Sequence, residues 1–466
     1  MTASPYGSLC QTIERLRSAV TALNYTPTSH QLEKWAMIIL EGMSGPSRFY
    51  HSPEHVLELS DHMDPLNTIA ALFHDIVYYQ VDGGLLSYIH AQIHPYYNSV
   101  NGILFVREQN EQDFIYETAL AIFDYAPGQQ LLPSRGQNEF LSAIFAVKQM
   151  ENVLSKAELV SICASIEATI PFRGGTDAFT QLEARIQKFN IDQTLGISQE
   201  EIAKIMQRAV TISNRDVANF AFEDPADFLA QTWRLLPETN ARLSASNMYT
   251  IREYRIALYK MEGFLSNIRP EMIYQQYKGT PSTEHYQGLI ARCRSNLSIA
   301  SVYMKSKVYA MGVLEALADL TGGDIPLIFM VGDFRVSEVS SKLSRIESHL
   351  GKSKFFENVT ACVEQNSVVA NLLETGRRET SFYSSKSSPL GHYFYQYLGE
   401  EEVIRQCDLA KQMFLGKIKS DEFLKQQNPK LVLDVATACS KIAYTRKSRL
   451  LSLVKLYPEY DHESEK

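Results

Sequence analysis

The chain has 466 residues, too many for one ordinary hydrophobic core, so two domains are expected. Its 45% hydrophobic and 21% charged residues are typical of a soluble globular protein, and no apolar run is long enough to span a bilayer. The net charge of −8 argues against an extended nucleic-acid-binding surface, so binding to nucleic acid or to a membrane is not predicted.

The cysteines indicate a reducing compartment. They are scattered and form no Cys-x-x-Cys pair, which is typical of reduced thiols and not of a disulfide framework or a zinc ribbon. The N-terminus lacks the basic and then apolar pattern of a secretion signal. The sequence therefore predicts a cytoplasmic protein. The cysteines are Cys10, Cys163, Cys293, Cys362, Cys407 and Cys439.

The first predicted elements are helices over residues 8–24 and 29–43. A third begins at Ser52-Pro53-Glu54, because serine caps free amides, proline suits the first helical position and glutamate favours the positive end of the helix dipole. His55 then lies in the first turn of this helix, and His51 lies just before it. Two histidines are therefore expected beside the same helix end.

A fourth helix is predicted over residues 66–79, where apolar residues recur at helical spacing. His74 lies within the apolar face, and Asp75 follows it. Burying such groups without a partner costs on the order of 2–7 kcal/mol for a neutral group and more for a charge. A divalent metal ion removes this cost, because imidazole and carboxylate groups are both good ligands for it.

Two further features of this half of the chain have two interpretations each. His90 and His94 are four residues apart and would share a helix face, either as metal ligands or as a surface pair before Pro95. Arg173 follows a helix predicted over residues 155–170 and precedes two glycines. Its guanidinium either contacts a phosphate, whose oxygens it fits, or is solvated on a loop.

An aspartate far along the chain is another candidate ligand. A helix is predicted to begin at Ser198 and to extend to Phe222, with Asp216 on its apolar stripe. An acid on an apolar face needs a cationic partner. Arg215 is one candidate, although adjacent helical residues do not face each other. The other is a metal ion shared with His55, His74 and Asp75.

The chain beyond a boundary placed near residues 235–248 also follows helical patterns. An all-α protein is therefore predicted, with domains over residues 1–240 and 241–466. A polar stretch with five serines over residues 379–388 is expected to be an exposed loop. No chemistry is evident in this second half, which is interpreted as a helical interaction or dimerisation domain. A homo-oligomer through the C-terminal helices would follow from that interpretation.

The first half resembles the HD superfamily of metal-dependent phosphohydrolases, in which an all-helical core presents a His…His-Asp…Asp ligand set. The runs that begin at Arg48 and at Phe73 are similar to the Arg-x-Tyr-His-x-x-x-His-Val and Phe-His-Asp-x-Val-Tyr patterns of small bacterial predicted HD phosphohydrolases. The resemblance implies a divalent metal cofactor, such as Mn, Mg, Fe, Co, Ni or Zn. Its implied ligands are His55, His74, Asp75 and Asp216.

The resemblance also implies catalytic roles. The run from Tyr50 to His55 is similar to the Tyr-His-Asn-x-x-His of cyclic-nucleotide phosphodiesterases, whose first histidine is the general acid. His51 is therefore expected to protonate the leaving oxygen. Asp75 would bridge to a second ion and orient the attacking water. The remaining candidates are Arg48 and Arg173 for the phosphate, and His90 and His94 for a second metal.

The expected function is hydrolysis of a phosphate ester, such as a nucleotide or another small phosphorylated metabolite, by metal-activated water. Two alternatives stay open. In the first, the protein is a non-catalytic HD-fold binding or scaffold protein whose helical C-terminal half mediates interactions. In the second, the same ligand set holds two irons and activates oxygen, as some HD-type oxygenases do.

Overall fold

A computed structural model describes residues 5–108, 113–173, 177–245, 248–332, 345–350 and 366–454. The prediction of an all-α fold is confirmed, because helices dominate and the described residues contain one small two-stranded sheet. The sheet is an antiparallel hairpin of β1 (Tyr97–Val100) and β2 (Ile103–Val106). Its turn is Asn101-Gly102, and both residues have positive φ, the conformation that a tight hairpin turn requires.

The helices of the first part of the chain have 4 to 18 residues. Capping boxes begin several of them, for example at Thr28, Ser155 and Ser198, where a Gln or Glu three residues later completes the pair. The helices are α1 (Pro5–Ala22), α2 (Ser29–Met43), α3 (Pro53–Ser60), α4 (Pro65–Phe73), α5 (Tyr79–Asp82), α6 (Ser87–Ile93), α7 (Phe114–Phe123), α8 (Gln137–Met150), α9 (Lys156–Ala168), α10 (Asp177–Asp192) and α11 (Gln199–Asp216).

The remaining helices include one of 39 residues, α15. In chain order they are α12 (Pro225–Thr239), α13 (Ile251–Asn267), α14 (Pro270–Ile273), α15 (Thr283–Thr321), α16 (Ile328–Val331), α17 (Ser367–Thr375), α18 (Pro389–Leu398), α19 (Glu400–Phe414), α20 (Ser420–Lys425), α21 (Pro429–Ile442) and α22 (Lys447–Val454).

The chain divides into two compact units, and the division differs from the predicted boundary after residue 240. A segment after α13 returns to the first unit, where the Asn214 amide donates to the Gln275 carbonyl and accepts from the Gln275 N–H. Short-range sequence signals do not reveal such a return. The first unit is Met1–Ala221 with Arg269–Arg292, and the second is Phe222–Ile268 with Cys293–Lys466.

Helix α9 lies at the centre of the first unit. From Leu159 to Ala168 every residue is buried, and the helix contacts α4, α7, α8 and α11. A helix that is apolar on all sides needs neighbours on all sides, which explains this position. The helices α4 and α11, which carry predicted ligands, therefore pack against one rigid central helix.

Some predicted elements differ from the observed ones. The predicted helix over residues 66–79 ends at Phe73. The serine-rich stretch 379–388 is only partly an exposed loop, because Tyr383, Ser384 and Ser388 are buried. Within the described residues no helix is long and apolar enough to cross a membrane.

Candidate metal centre

The end of α4 places the His74-Asp75 pair. His74 is the residue that follows the last turn, and there the chain leaves the helix. The Arg48 guanidinium binds the carbonyls exposed by this departure, with Nη1 2.6 Å from the oxygen of Asp75 and Nη2 3.3 Å from that of Ile76. At Gly42 on α2, a Cβ would come within 2.7 Å of the Ile76 side chain, so glycine admits this turn.

Helix α8 binds the amides on the other side of the same turn. The Ser142 hydroxyl accepts from the Val77 N–H at 3.1 Å, and the Asn138 side chain accepts from the Tyr79 N–H at 3.1 Å. Backbone groups that leave a helix in a buried place need such partners. Asn138 and Ser142 are four residues apart on one helix face, and together they hold the segment that follows the candidate ligands.

The other candidate ligands lie at helix ends. His55 is in the first turn of α3, and Asp216 is the last residue of α11. Ser52 precedes α3 as predicted, but its hydroxyl donates to the Glu54 carboxylate at 2.8 Å and does not cap an amide. Arg215 does not pair with Asp216, because its guanidinium donates to the Glu58 carbonyl.

The side chains of the four candidate ligands lie close together. The Nε2 atom of His74 is 2.9 Å from Oδ2 of Asp75 and 3.3 Å from Oδ1 of Asp216. The Nε2 atom of His55 is 3.1 Å from the same Asp216 oxygen and 3.7 Å from Oδ2 of Asp75. Ligand atoms of His55, His74 and Asp75 all lie within 4.8 Å of one another. The structure therefore brings together four residues that are up to 161 positions apart.

The imidazole of His74 has a free, buried nitrogen. Its Nδ1 is 2.8 Å from the Ala71 carbonyl oxygen, an arrangement in which Nδ1 carries the proton and donates it. The Nε2 atom is buried and forms no hydrogen bond, although two carboxylates lie close to it. A metal-ligating histidine has this arrangement, with one nitrogen held by a carbonyl and the other directed at the ion. The donor set of two imidazoles and two carboxylates fits a divalent cation.

The charges in the site influence one another strongly. Burial raises the pKa of the Asp216 carboxyl, but the nearby His74 and His55 outweigh it and lower that pKa to about 2. Burial opposes ionisation of Asp75 as well, and His74 and His51 still hold its pKa well below the usual range. Burial lowers the pKa of His74, whereas the two carboxylates raise it, with a net rise. Two anionic carboxylates thus face a position that favours positive charge.

His51 lies beside the cluster and outside its centre. Its Nε2 is 3.9 Å from Oδ2 of Asp75, farther than the imidazole of His55 or His74. The ring packs edge-on against Tyr78 and Tyr50, at centroid distances of 4.7 and 4.9 Å. The geometry separates His51 from the four ligand candidates and leaves it close enough to exchange a proton with a group bound there.

The prediction that Arg48 binds substrate is wrong. Its Nε and Nη2 donate to Asp82 at 2.9 and 2.7 Å, and its other N–H groups bind Met43 and the two carbonyls of the turn. The side chain is fully buried. Because all its donors are used, Arg48 supports the turn that carries Asp75 and offers nothing to a phosphate.

Arg48→Met is therefore expected to destabilise the protein by about 3–5 kcal/mol, because Asp82 would be left as a buried, unpaired charge. Urea unfolding of the metal-free protein measures this loss. Arg15→Met is the matched control, since its ion pair with Asp61 is more than a third exposed and is expected to contribute less than about 1 kcal/mol. Equal losses in the two variants would contradict the structural role of Arg48.

Arg173 is likewise engaged, with Glu167 as its partner. Its Nη2 donates to the Glu167 backbone carbonyl at 2.6 Å and to Oε2 at 3.1 Å, and its Nε donates to the Ile170 carbonyl. Glu167 is 2% exposed and also binds Arg185, so two partly exposed arginines form an ion-pair network around one buried carboxylate. The structure does not support a phosphate contact for Arg173, because its donors are directed at this network.

The predicted second metal site at His90 and His94 is not supported. Both side chains are exposed, with ring centroids 5.8 Å apart. The Nδ1 of His90 hydrogen-bonds the Tyr97 hydroxyl, and the Nδ1 of His94 is 3.1 Å from the Ala91 carbonyl oxygen. Within the part of the chain that the structure describes, no third acidic or histidine ligand joins them. They correspond to the alternative interpretation, a surface pair.

Glu139 is a residue that the sequence did not single out. It lies in the first turn of α8, half-buried, between Asn138 and the buried Phe140. Burial raises the pKa of its carboxyl to about 7, and the negative charge of Asp75 adds to the rise. The sequence could have indicated Glu139 by its spacing, because a residue three positions before Ser142 lies on the same face of α8, the face that contacts the candidate site.

Comparison of the chain with protein-family models, curated proteins and solved structures found no match. The resemblance to HD phosphohydrolases therefore rests on the two residue runs, and the geometry above stands independently of it.

Proposed function

We propose that the first unit is a metal-dependent phosphohydrolase that hydrolyses a phosphate ester of a small metabolite. The observation that carries the proposal is the unbonded, buried Nε2 of His74, which faces two carboxylates and a second imidazole. His55, His74, Asp75 and Asp216 would hold the ion. When bound there, a divalent cation supplies Lewis acidity toward a phosphoryl oxygen and lowers the pKa of water.

The protein groups around the ion have separate tasks. Asp75, with a carboxylate kept ionised by its imidazole neighbours, would accept a hydrogen bond from the attacking water and orient it. His51 would give a proton to the leaving alkoxide oxygen, which is a poor leaving group unless it is protonated. The free cysteines among the described residues agree with the proposed location in the reducing cytoplasm.

The test combines metal content with activity. The purified protein is reconstituted separately with Mn, Mg, Fe, Co, Ni and Zn, and its ability to release phosphate from nucleotides, sugar phosphates and phosphodiesters is measured. We expect a stoichiometric ion and turnover of at least one ester class. Stoichiometric metal with no turnover on the whole panel would favour the non-catalytic alternative. Two irons per chain with oxygen consumption would favour the oxygenase alternative.

A further inference from the structure

The second unit contains a cleft with a cavity volume of about 90 Å³. One wall is apolar and includes Met311, Leu327 and Leu390. The serine-rich stretch 379–388 contributes Ser384, Ser385, Ser387 and Ser388 to the lining. The cleft thus combines an apolar surface with several hydrogen-bonding groups.

A buried lysine lines this cleft. Arg345 and Glu347 line it too, with Nη1 and Oε1 3.8 Å apart, so this carboxylate already has a cationic partner. Lys307 is 6% exposed, and its ammonium packs over the rings of Trp233 and Tyr303, 5.3 and 5.7 Å from their centres. It forms no hydrogen bond and no ion pair with any described residue. Burying a cation in this way is costly unless a partner compensates the charge.

A second buried cation lies close by. Arg377 is 1% exposed, and its guanidinium stacks 4.0 Å from the centre of the Trp233 ring. It donates to the Tyr303 hydroxyl at 3.2 Å and to the Ser385 carbonyl at 2.9 Å, while its Nε has no partner. No described carboxylate forms an ion pair with it. Burial and the charge of Arg377 together lower the pKa of Lys307 well below its ordinary value.

The N-terminus of α18 adds to the positive potential. Ser387, Ser388 and the first two residues of this ten-residue helix line the cleft. The helix has no side-chain cap and no acidic residue in its first turn, so its first amides and the positive end of its dipole are not neutralised. Amides at a helix start, with a lysine and hydroxyls, are the groups that bind phosphate in proteins.

We propose that this cleft binds a small phosphate ester, with the phosphate between Lys307 and the start of α18 and the apolar part against Met311 and Leu327. A phosphate is favoured over a carboxylate because its three acceptor oxygens can bond Lys307, a serine of the lining and the first amides of α18 at the same time. The site belongs to the second unit and shares no residue with the metal centre. It is therefore independent of the proposed hydrolysis.

Calorimetry with phenylphosphonate tests the proposal, because this probe carries a phosphoryl group and an apolar ring and cannot be hydrolysed as an ester. The full chain is used with EDTA present, so that the metal centre does not contribute. Lys307→Met is expected to weaken binding roughly 10- to 100-fold, the value of a charge-assisted hydrogen bond. Lys305→Met, on the same helix, is the matched control and should leave the affinity unchanged.

A second ligand and a second variant test the phosphate assignment and the location of the site. Benzoate, with the same ring and a single charge, is expected to bind more weakly than phenylphosphonate, and tighter binding of benzoate would overturn the phosphate assignment. Ser387→Ala is expected to weaken binding several-fold, and it decides the matter if Lys307→Met does not fold. Undetectable binding to the wild-type chain, or affinity unchanged in the lysine variant, would overturn the site itself.

Discussion

Replacing His74 by alanine is expected to lower the affinity for a divalent ion by roughly 100-fold or more and to abolish turnover with it. Loss of an outer partner of a metal ligand typically costs 10- to 100-fold in affinity, so loss of a ligand itself should cost at least the upper value. His74 is the most buried candidate, and its Nε2 has no other partner. Metal content after reconstitution and titration calorimetry both measure the effect.

Two companion variants make the result specific. Asp75→Asn keeps the shape of the side chain and removes its charge, and it should also lose metal. His94→Ala is the control, because that exposed imidazole contacts the Ala91 carbonyl and lies outside the cluster. Circular dichroism of each variant establishes that the helices are retained. A folded His74→Ala protein that still holds one ion per chain would show that the cluster is not the metal site.

His51→Ala is expected to retain the ion and to lose roughly 10²–10⁴-fold in turnover, the usual contribution of a general acid. The separation follows from geometry, since the His51 Nε2 is 3.9 Å from Oδ2 of Asp75, farther than the Nε2 of His55 or His74. Metal content and kcat are measured on the same preparation, so that loss of chemistry is distinguished from loss of the ion.

The leaving group provides a sharper test of this role. A nitrophenyl ester departs without protonation, whereas an alkyl ester requires it, so the loss in His51→Ala should be much smaller for the nitrophenyl substrate. Equal losses for both esters would assign His51 to substrate positioning. Undiminished turnover of the alkyl ester would remove it from the mechanism.

The residues of the candidate site were largely predictable from the sequence. The sequence places a histidine and an aspartate at the end of one apolar helix, and another aspartate on the apolar stripe of a second helix. Such polar groups need a hydrogen-bonding or charged partner when they are buried, whatever the fold. The capping boxes at Thr28, Ser155 and Ser198 are also recognisable in the sequence, because each joins two residues that are three positions apart. Such signals depend only on neighbours along the chain.

The roles of the arginines depended on the tertiary structure. Arg48 and Arg173 were expected at a phosphate, and both instead hold buried acids and backbone carbonyls. A guanidinium fits a carboxylate as well as a phosphate, so residue type alone does not distinguish the two partners. The tertiary structure determines the partner of each guanidinium, because it places Asp82 beside Arg48 and Glu167 beside Arg173.

The sequence by itself determined the all-α class and the start of several helices, such as those at Ser52 and Ser198, since these follow from periodicity or from contacts within one turn. Only the tertiary structure decided where the chain leaves α4, that Tyr383, Ser384 and Ser388 are buried, and that Lys307 and Arg377 lie close together with no described carboxylate ion-paired to either. These features depend on residues far apart in sequence, such as Ser142 with Val77 and Arg377 with Tyr303. Burial and charge balance are properties of such long-range neighbours, which local patterns do not specify.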